Sequence, residues 1–333
     1  MGELLLARPL VVVGSANADI YVELDRMPKE GETLAARNGQ TLPGGKGANQ
    51  AACAARLSFP TFFVGQVGKD GNATMLRDAL QTSGVRLDYL NTVSGPTGHA
   101  IVMLQPNGLN SIVIVGGANT AWKKRTGSSS IPVQAEETIR KAGALLLQRE
   151  IPDDFLFFVL RCEARSYFGC LFRIAREADI PVIMDAGGFD SPIPEELLKY
   201  ITVLSPNETE LARLTSMPTE TTQEVVRAAN KCLDMGVKQV LVKRGVQGSM
   251  LAKADESPIL QPAIPAPAVV DTTGAGDTFT AAFTVAILEG KEPAEALRFA
   301  AAAASVCVRA KGAIPSMPNR KAVDEVLKHE QYV

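Results

Sequence analysis

The sequence predicts an α/β fold of three layers, with helices on both faces of a mostly parallel central sheet and a small, separate β-sheet. Short apolar runs recur along the chain, each ending near a polar residue and alternating with helical stretches, as in repeated βα units. Residues 21–42 and 97–115 instead alternate apolar and polar side chains between glycines and prolines. This pattern predicts short antiparallel strands apart from the main core.

The elements of the main sheet follow in chain order. The first strand, Leu10–Val13, is continuously apolar, as buried parallel strands are, and it ends at a turn of small residues. An alanine-rich stretch without proline then predicts a helix over 47–57 that begins at a glycine-rich turn. The later predicted elements are strands at 144–147, 182–184, 203–204 and 240–242, a helical region over 278–308 broken by Gly290 and Pro293, and a closing loop over 311–318.

Composition and charge exclude several classes of function. Hydrophobic residues make up 46% of the 333-residue chain and charged residues 21%, as in ordinary globular proteins. The net charge of −2 leaves no basic excess for binding nucleic acid or an anionic membrane, and no apolar run is long enough to span a bilayer. Five scattered cysteines and two histidines indicate reduced thiols and no zinc site. Because no targeting segment is visible, we expect a cytoplasmic protein, with the plastid or the nucleus as alternatives.

The strongest motif is Asp-Thr-Thr-Gly-Ala-Gly-Asp-Thr-Phe at 271–279, between a strand-like pair at 269–270 and an alanine-rich helix. Gly274 and Gly276 allow close backbone approach to a ligand, and the first turn of the helix offers unpaired N–H groups to an anion. Asp277, directly after them, is placed to take a proton from a hydroxyl group. The alternative is a tight turn with Asp277 as a helix cap. The stretch does not match the dinucleotide-binding fingerprint, because Phe279 stands where that motif requires a glycine. The chain also contains no Walker motif, because no stretch ends in the required Gly-Lys-Ser/Thr.

A second glycine-rich stretch, Gly-Gly-Lys-Gly-Ala-Asn-Gln at 44–50, opens the first long helix. Lys46 and Asn49 supply hydrogen-bond donors suited to sugar hydroxyls or a phosphate. A simple flexible turn is the alternative.

A third motif, Ser-Pro-Asn-Glu-Thr-Glu at 205–210, follows the predicted strand at 203–204. Asn207 and Glu210 lie three residues apart at a helix start, on one face, where they could orient water around Mg²⁺. A capping box explains the same two residues equally well.

Together these three motifs resemble the PfkB carbohydrate kinase family, also called the ribokinase family, over nearly the whole chain. Residues 14–19, 148–150 and 311–316 are similar to the ribokinase branch in particular. The resemblance implies one PfkB-type domain over 1–333, with a small β-sheet near 18–42 and 97–116 that acts as a lid over the sugar and pairs with the lid of a second subunit in a homodimer.

The resemblance also implies the reaction: phosphorylation of D-ribose at O5 by ATP, with Mg²⁺ and K⁺ as metal ions, to give ribose 5-phosphate and ADP for ribose catabolism and pentose phosphate metabolism. Asp277 would be the catalytic base, and Gly274, Ala275 and Gly276 would form the anion hole. The sugar contacts would be Asn17, Ala18, Asp19, Gly45, Lys46, Gly47, Ala48, Asn49, Glu150 and Asp277.

The remaining implied contacts fall into three groups. The nucleotide side would comprise Asn207, Lys243, Arg244, Gly245, Val246, Gln247, Gly248, Gly276, Asp277 and Ala301. A monovalent cation would lie near Asp271, Thr273, Cys307, Ala310, Gly312 and Ser316, most of which would offer backbone carbonyls. Asn207 and Glu210 would be associated with Mg²⁺.

Three other functions stay open at this point. The acceptor could be fructose, adenosine or 2-keto-3-deoxygluconate, although the pairing of Asn17 with Asp19 favours a small pentose. A silent sugar-binding protein of the same fold is a second alternative, and the intact base and anion hole argue against it. A nicotinamide dehydrogenase is disfavoured by the failed dinucleotide fingerprint. Residues 123–130 and 155–172 have no functional interpretation.

Overall fold

The computed structural model describes residues 8–106, 110–122, 131–153 and 170–329. The segment 123–130 and most of the segment 155–172 lie outside these residues. Among the described helices, none combines the length and the apolar character that crossing a membrane requires.

A large, mostly parallel sheet forms the centre of the fold, as predicted. In spatial order its strands are β13 (Ile259–Gln261), β12 (Ser249–Lys253), β11 (Gln239–Lys243), β10 (Val203–Ser205), β9 (Val182–Gly188), β8 (Ala144–Arg149), β1 (Leu10–Val13), β4 (Thr61–Val67) and β5 (Arg86–Thr92). The strands from β11 through to β5 pair in parallel, and the β11–β12 and β12–β13 pairs are antiparallel.

A second sheet of four strands stands apart from the first. Its order is β3 (Asn38–Gly44), β2 (Asn17–Glu23), β6 (Gly98–Leu104) and β7 (Asn110–Val115). The outer pairs β2–β3 and β6–β7 are antiparallel, as the alternating pattern predicts. The central pair β2–β6 is parallel, so the prediction of antiparallel pairing was wrong there. The two strands come from separate excursions out of the large sheet, and they therefore run in the same direction instead of being joined by a hairpin.

Helices cover both faces of the large sheet. They are α1 (Lys46–Arg56), α2 (Gly71–Thr82), α3 (Val133–Arg140), α4 (Cys170–Glu177), α5 (Glu195–Leu198), α6 (Glu208–Thr215), α7 (Thr222–Asp234), α8 (Ala275–Leu288), α9 (Pro293–Cys307), α10 (Ala313–Ser316) and α11 (Arg320–His329). Two 3₁₀ turns span Gly117–Thr120 and Gly245–Gln247. The predicted break at 290–293 separates α8 from α9, whereas the predicted closing loop at 311–318 contains the short helix α10.

The alternation of side chains along β1 divides the core in two. Leu10 and Val12 join the cluster of buried residues that includes α1, α8 and α9, while Val11 and Val13 join the cluster under α3, α4, α6 and α7. Successive residues of a strand face opposite sides of a sheet, so this four-residue run is buried on both faces. For this reason the run contains no polar residue.

The expected strand at 269–270 is absent from the fold. Val269 and Val270 are 65% and 58% exposed and lie outside any strand. The large sheet ends at β13, and Val270 N–H instead donates to Val308 O at the end of α9 (2.8 Å). Within the described part of the chain, the β-branched pair thus has no neighbouring strand to pair with, and an irregular segment precedes the 271–279 motif.

Candidate active site at the carboxyl ends of the strands

The chemically active side chains meet at one edge of the large sheet. Glu150 follows β8, Asp185 is the middle residue of β9, and Lys243 ends β11. Lys46 opens α1, and Asp277 lies in the first turn of α8. Open α/β sheets bind ligands at this carboxyl edge, because the loops and helix N-termini there surround a crevice.

Asp277 is a buried carboxylate held by amide donors of α1. Its Oδ2 accepts a hydrogen bond from Asn49 Nδ2 (2.8 Å) and its Oδ1 accepts one from Gln50 Nε2 (3.1 Å). Lys46 Nζ lies 3.7 Å from Oδ1, and the residue is 5% exposed. The interpretation of Asp277 as a helix cap was wrong: the N-cap residue of α8 is Gly274, in the left-handed conformation (φ 80°), and it makes no side-chain capping hydrogen bond. The carboxylate instead faces the crevice at the strand ends.

Asp185 was missed by the sequence analysis, although it directly follows the predicted strand at 182–184. It is fully buried, and its Oδ2 accepts hydrogen bonds from Lys243 Nζ (2.7 Å) and Thr280 Oγ1 (3.1 Å). Lys46 Nζ lies 3.9 Å from Oδ1. Burial alone would raise the pKa of Asp185, but the charges of Lys243 and Lys46 lower it to about 2. The ionised carboxylate therefore links Lys46, from the predicted sugar-binding stretch, to Lys243, from the predicted nucleotide-binding stretch.

Lys46 is the central cation of the site. Burial alone would lower its pKa, but the surrounding carboxylates, Asp277 and Asp185 above all, raise it above the ordinary value. Glu150 is fixed nearby, because its Oε2 accepts from Ser15 Oγ (2.7 Å) and from Lys46 N–H (3.1 Å). Burial raises the pKa of Glu150, although Lys46 opposes the shift.

Asn17 and Asp19 lie on β2 with glycines packed against them. A Cβ on Gly44 would lie 2.0 Å from Asp19 Oδ2, so a side chain there would displace the carboxyl group of Asp19. Gly45 has a φ of 91°, and a Cβ there would lie 2.6 Å from the backbone nitrogen of Asn17, so this position requires glycine. Burial, with the charges of Glu150 and Asp277, raises the pKa of Asp19 to about 8. The pocket thus contains a carboxyl group that is largely protonated at neutral pH.

The other predicted sugar positions lie in the same region. Asn49 Oδ1 is buried and has no hydrogen-bond partner among the residues that the structure describes, which leaves an acceptor beside Asp277. Ala48 N–H donates to Ser15 O (2.9 Å), and a Cβ on Gly47 would lie 2.8 Å from the Gly14 Cα. Ala18 lies between Asn17 and Asp19 on β2 and is fully buried.

The predicted nucleotide positions form a more open surface. Lys243 Nζ lies 3.9 Å from where a Cβ on Gly276 would be, which puts its ammonium group beside the first turn of α8. The following 3₁₀ turn Gly245–Gln247 contains Val246, which is 96% exposed. Gly248 needs its glycine, because a Cβ there would lie 2.0 Å from Gln261 O. Ala301 is buried in the middle of α9.

Arg244, in the predicted nucleotide loop, is buried. Its guanidinium group bonds to Gln247 Oε1, and its Nε lies 3.5 Å from Glu208 Oε1. The arginine therefore anchors the turn to the start of α6.

Asn207 and Glu210 form a capping box, so that alternative is confirmed. Asn207 Oδ1 accepts from Glu210 N–H (2.7 Å), and Glu210 Oε2 accepts from Asn207 N–H (2.8 Å). The second oxygen of Glu210, Oε1, lies 2.8 Å from where a Cβ on Gly187 would be. Lys46 Nζ lies 2.7 Å from the same point, so this oxygen faces the site.

The residues predicted to bind a monovalent cation come together around α10. Asp271 Oδ1 accepts from Thr273 N–H and its Oδ2 from Gly312 N–H, both at 2.9 Å. Cys307 Sγ lies 3.2 Å from Ser316 Oγ and 4.0 Å from Thr273 O. Ala310 N–H donates to Cys307 O (3.4 Å). Asp271 thus ties the loop before α8 to the loop before α10.

Two further residues near the site were not assigned from sequence. Gln50, which bonds to Asp277, lies within the 44–50 motif but has no predicted role, and Gln148 Nε2 donates to Gln50 Oε1 (2.6 Å). Asn119, in the 3₁₀ turn Gly117–Thr120, bonds to Ala16 and Asn17. The run Gly-Gly-Ala-Asn at 116–119 indicates only a turn, so no sequence feature pointed to Asn119.

Known proteins resemble this chain over nearly its full length. The pattern of the pfkB family carbohydrate kinases matches residues 7–320. The chain is 57% identical over 326 residues to a ribokinase from Arabidopsis thaliana, covering 97% of this chain and 82% of that protein. It is 37% identical over 321 residues to a ribokinase from Bacillus subtilis (strain 168), covering 96% and 99%. The solved structure of Arabidopsis thaliana ribokinase complexed with ribose and ATP superposes with a TM-score of 0.87, covering 97% of this chain and 99% of that chain at 57% identity. This chain therefore belongs to the pfkB family of carbohydrate kinases.

Proposed function

We propose that this chain transfers the γ-phosphoryl group of ATP to O5 of D-ribose, giving D-ribose 5-phosphate and ADP. The observation that carries the proposal is the buried carboxylate of Asp277, which lies at the strand ends, beside an uncapped helix N-terminus and within 4 Å of a lysine. The relative with 57% identity is a ribokinase, and its solved structure contains ribose and ATP.

Asp277 acts as the general base in this proposal. The amide groups of Asn49 and Gln50 fix the orientation of its carboxylate. As O5 of ribose attacks the γ-phosphorus, its proton passes to Asp277, the new O5–P bond forms, and the bond from phosphorus to the β–γ bridging oxygen breaks to release ADP. The unpaired Asn49 Oδ1 accepts a hydrogen bond from a sugar hydroxyl.

The first turn of α8 stabilises the charge of the transferring group. The first N–H groups of a helix have no partner within it, and the helix dipole adds a partial positive charge at this end. Gly274 and Gly276 leave the backbone accessible, and Lys243 Nζ flanks Gly276. Donors that are fixed before the reaction stabilise developing charge without reorganisation, so this arrangement lowers the barrier to phosphoryl transfer.

Glu210, on the nucleotide side of the site, has the chemistry to bind Mg²⁺. Nucleotide-bound Mg²⁺ needs one or two carboxylate oxygens in addition to phosphate oxygens and water. Glu210 has one oxygen in the capping box and the other facing the site, and Asn207 fixes its orientation. When bound, Mg²⁺ neutralises phosphate charge.

The cluster around Asp271 fits a monovalent cation such as K⁺. The groups that could coordinate the ion are a carboxylate, a hydroxyl and backbone carbonyls, and such oxygen ligands suit hard cations. Burial raises the pKa of Cys307, so its thiol stays neutral there. Turnover should be faster in K⁺ than in Na⁺ at equal ionic strength, and equal rates would count against the cation site.

The four-stranded sheet is proposed to serve as the lid and as the interface of a homodimer. Its edge strand β7 exposes Ile112, Val113, Ile114 and Val115, each between 42% and 52%. An exposed apolar edge strand readily pairs with another chain. Sedimentation equilibrium should give a dimer for the wild type and a shift toward monomer for Val113→Lys, whereas a monomeric wild type would contradict the interface.

A panel of acceptors tests the substrate. D-ribose, fructose, adenosine and 2-keto-3-deoxygluconate are each assayed for ADP release with ATP and Mg²⁺. We expect kcat/KM for ribose to exceed that for the others by about 100-fold or more, because a site built from hydrogen-bonding groups rejects mismatched acceptors strongly. A preference for another acceptor would refute ribose as the substrate, and ribose binding without ADP release would indicate a silent binding protein.

A further inference from the structure

Asn119 forms a buried hydrogen-bond cluster with the start of β2. The residue is 1% exposed and lies in the 3₁₀ turn Gly117–Thr120. Its side chain makes three hydrogen bonds: Ala16 N–H donates to its Oδ1 (2.9 Å), and its Nδ2 donates to Ala16 O (3.1 Å) and to Asn17 Oδ1 (2.6 Å). More than 100 residues of chain separate the partners.

The backbone of Ala16 determines which way each amide group in this cluster points. A backbone N–H can only donate, so the atom of Asn119 that it meets must be the oxygen. The other end of the Asn119 amide must then be nitrogen, and the Asn17 atom beside it must be an acceptor. Asn17 therefore uses its oxygen within the protein, and its NH₂ group is the part left for a ligand.

Tight packing holds the side-chain amides of Asn17 and Asn119 in this arrangement. Gly98 is the register partner of Asn17 on β6, and a Cβ on Gly98 would lie 2.1 Å from Asn119 Nδ2 and 2.5 Å from Asn17 Oδ1. On the other side, a Cβ on Gly45 would lie 2.6 Å from the backbone nitrogen of Asn17. A side chain at 98 would therefore displace the amide pair directly, and one at 45 would displace the backbone that carries Asn17.

We propose that Asn119 is a positioning residue that makes Asn17 present its amide NH₂, a donor, to the sugar, next to the acceptor Asp19. The two residues are two apart on one strand, so their side chains leave the same face of the sheet about 7 Å apart. A donor next to an acceptor recognises two neighbouring hydroxyls in fixed roles, one accepting and one donating. The inference rests on the proposed function in taking a sugar as the ligand of Asn17.

Asn119→Asp tests the assignment, because a carboxylate still accepts from Ala16 N–H but cannot donate to Asn17. Asn17 would then turn its NH₂ toward residue 119 and its oxygen toward the sugar. We expect the affinity for ribose, measured by calorimetry without nucleotide, to fall about 10-fold or more, with nucleotide affinity changed less than about twofold. Thr120→Ala, which alters the same turn without touching Asn17, should change neither affinity.

Loss of ribose and nucleotide affinity together, or unchanged ribose affinity in the folded Asn119→Asp variant, would overturn the role of Asn119. If the wild type itself binds no ribose, the proposed function fails and a second measurement decides on Asn119. In a thermal-unfolding cycle, Asn17→Asp keeps an acceptor facing Asn119, whereas the double variant Asn17→Asp/Asn119→Asp opposes two carboxylates. The double variant should melt at a temperature lower than the sum of the single shifts predicts; additive shifts would refute the contact.

Discussion

The two halves of the site differ in how completely the protein builds them. The acceptor half, here Asn17, Asp19, Lys46, Asn49 and Glu150, is held together by hydrogen bonds and ion pairs, and its amides and Asp19 are at most 7% exposed. In the nucleotide half, residues 243–248, Val246 is 96% exposed, and a Cβ on Gly245 would have no neighbour within 4 Å among the described residues. We therefore expect the polar groups of the sugar pocket to be in place before a ligand arrives, and ATP itself to supply contacts at the exposed turn of the other half.

This difference indicates where specificity resides. A pocket whose donors and acceptors are already fixed loses little conformational entropy on binding and rejects ligands that leave its polar groups unpaired. Asp277 receives its hydrogen bonds from Asn49 and Gln50 of α1, on the acceptor side. In the proposed mechanism, the orientation of the base is therefore set by groups of the acceptor side and not by the nucleotide.

Removal of the base should have the largest effect on the rate. Asp277→Asn keeps the shape of the side chain but cannot accept the proton from O5, so we expect kcat to fall by about 10²–10⁴-fold. Steady-state kinetics with ribose and ATP measure this, with Asp234→Asn on the exposed end of α7 as the matched control. A kcat within about threefold of the wild type would remove Asp277 from the mechanism.

Asp185 links the two halves of the site, because it contacts Lys243 of the nucleotide half and Lys46 of the acceptor half. Asp185→Asn takes the buried counter-charge away from Lys243, whereas Lys46 keeps Asp277 at 3.7 Å. The free energy of unfolding in urea should fall by about 3–5 kcal/mol. The double variant Asp185→Asn/Lys243→Met should recover part of this loss, since it removes the ammonium group that the single variant leaves unpaired. A loss below about 1 kcal/mol in the single variant would show that the pair contributes little.

Two glycines of β3 test how tightly the acceptor half is built. Gly44→Ala puts a Cβ 2.0 Å from Asp19 Oδ2, whereas at Gly39 the nearest atom would be Tyr21 O at 3.6 Å. Displacement of Asp19 should raise KM for ribose about 10- to 100-fold in Gly44→Ala, with KM for ATP nearly unchanged. Gly39→Ala should leave both constants unchanged. Equal effects of the two substitutions would indicate a pliable pocket.

Asp19 should couple ribose binding to pH. Its pKa is about 8 in the free protein, and sugar hydroxyls that donate to the carboxylate favour the ionised form. Binding therefore releases a proton below that pKa, so ribose affinity should rise with pH toward 8 and level off above it. Calorimetry in buffers of different ionisation enthalpy measures the proton released, and Asp19→Asn should abolish the release.

The carboxyl group of Asp19 should also make the free energy of unfolding depend on pH, but in the opposite direction to ribose affinity. Because the folded pKa of Asp19 lies above the unfolded value of 3.8, the folded state binds more protons between the two values. The contribution of Asp19 to the free energy of unfolding should therefore fall as pH rises from about 4 to 8, and Asp19→Asn should flatten that slope. An unchanged slope in the variant would contradict the raised pKa.

The sequence analysis predicted the parts of the fold and site that depend on local patterns. The apolar run Leu10–Val13, the helix after the glycines at 44–47 and the turn at Gly274 were all recognised from propensity and spacing. Such features depend on neighbours in the chain, which the sequence displays directly.

Contacts between distant segments could not be predicted in the same way. Asp185 follows an ordinary apolar strand run, and only the fold places it between Lys46 and Lys243. Asn119 acts through residues more than 100 positions away. The parallel pairing of β2 with β6 likewise depends on the path of the chain between them, so the alternating pattern alone could not determine strand direction.

Calorimetric titration of the nucleotide-free protein with ribose tests most directly whether the acceptor half is complete on its own. One molecule of ribose per chain should bind in the absence of any nucleotide, and Gly44→Ala should weaken that binding. Binding of ribose only after a non-hydrolysable ATP analogue has been added would contradict the account, because the acceptor half would then depend on the nucleotide half for its formation.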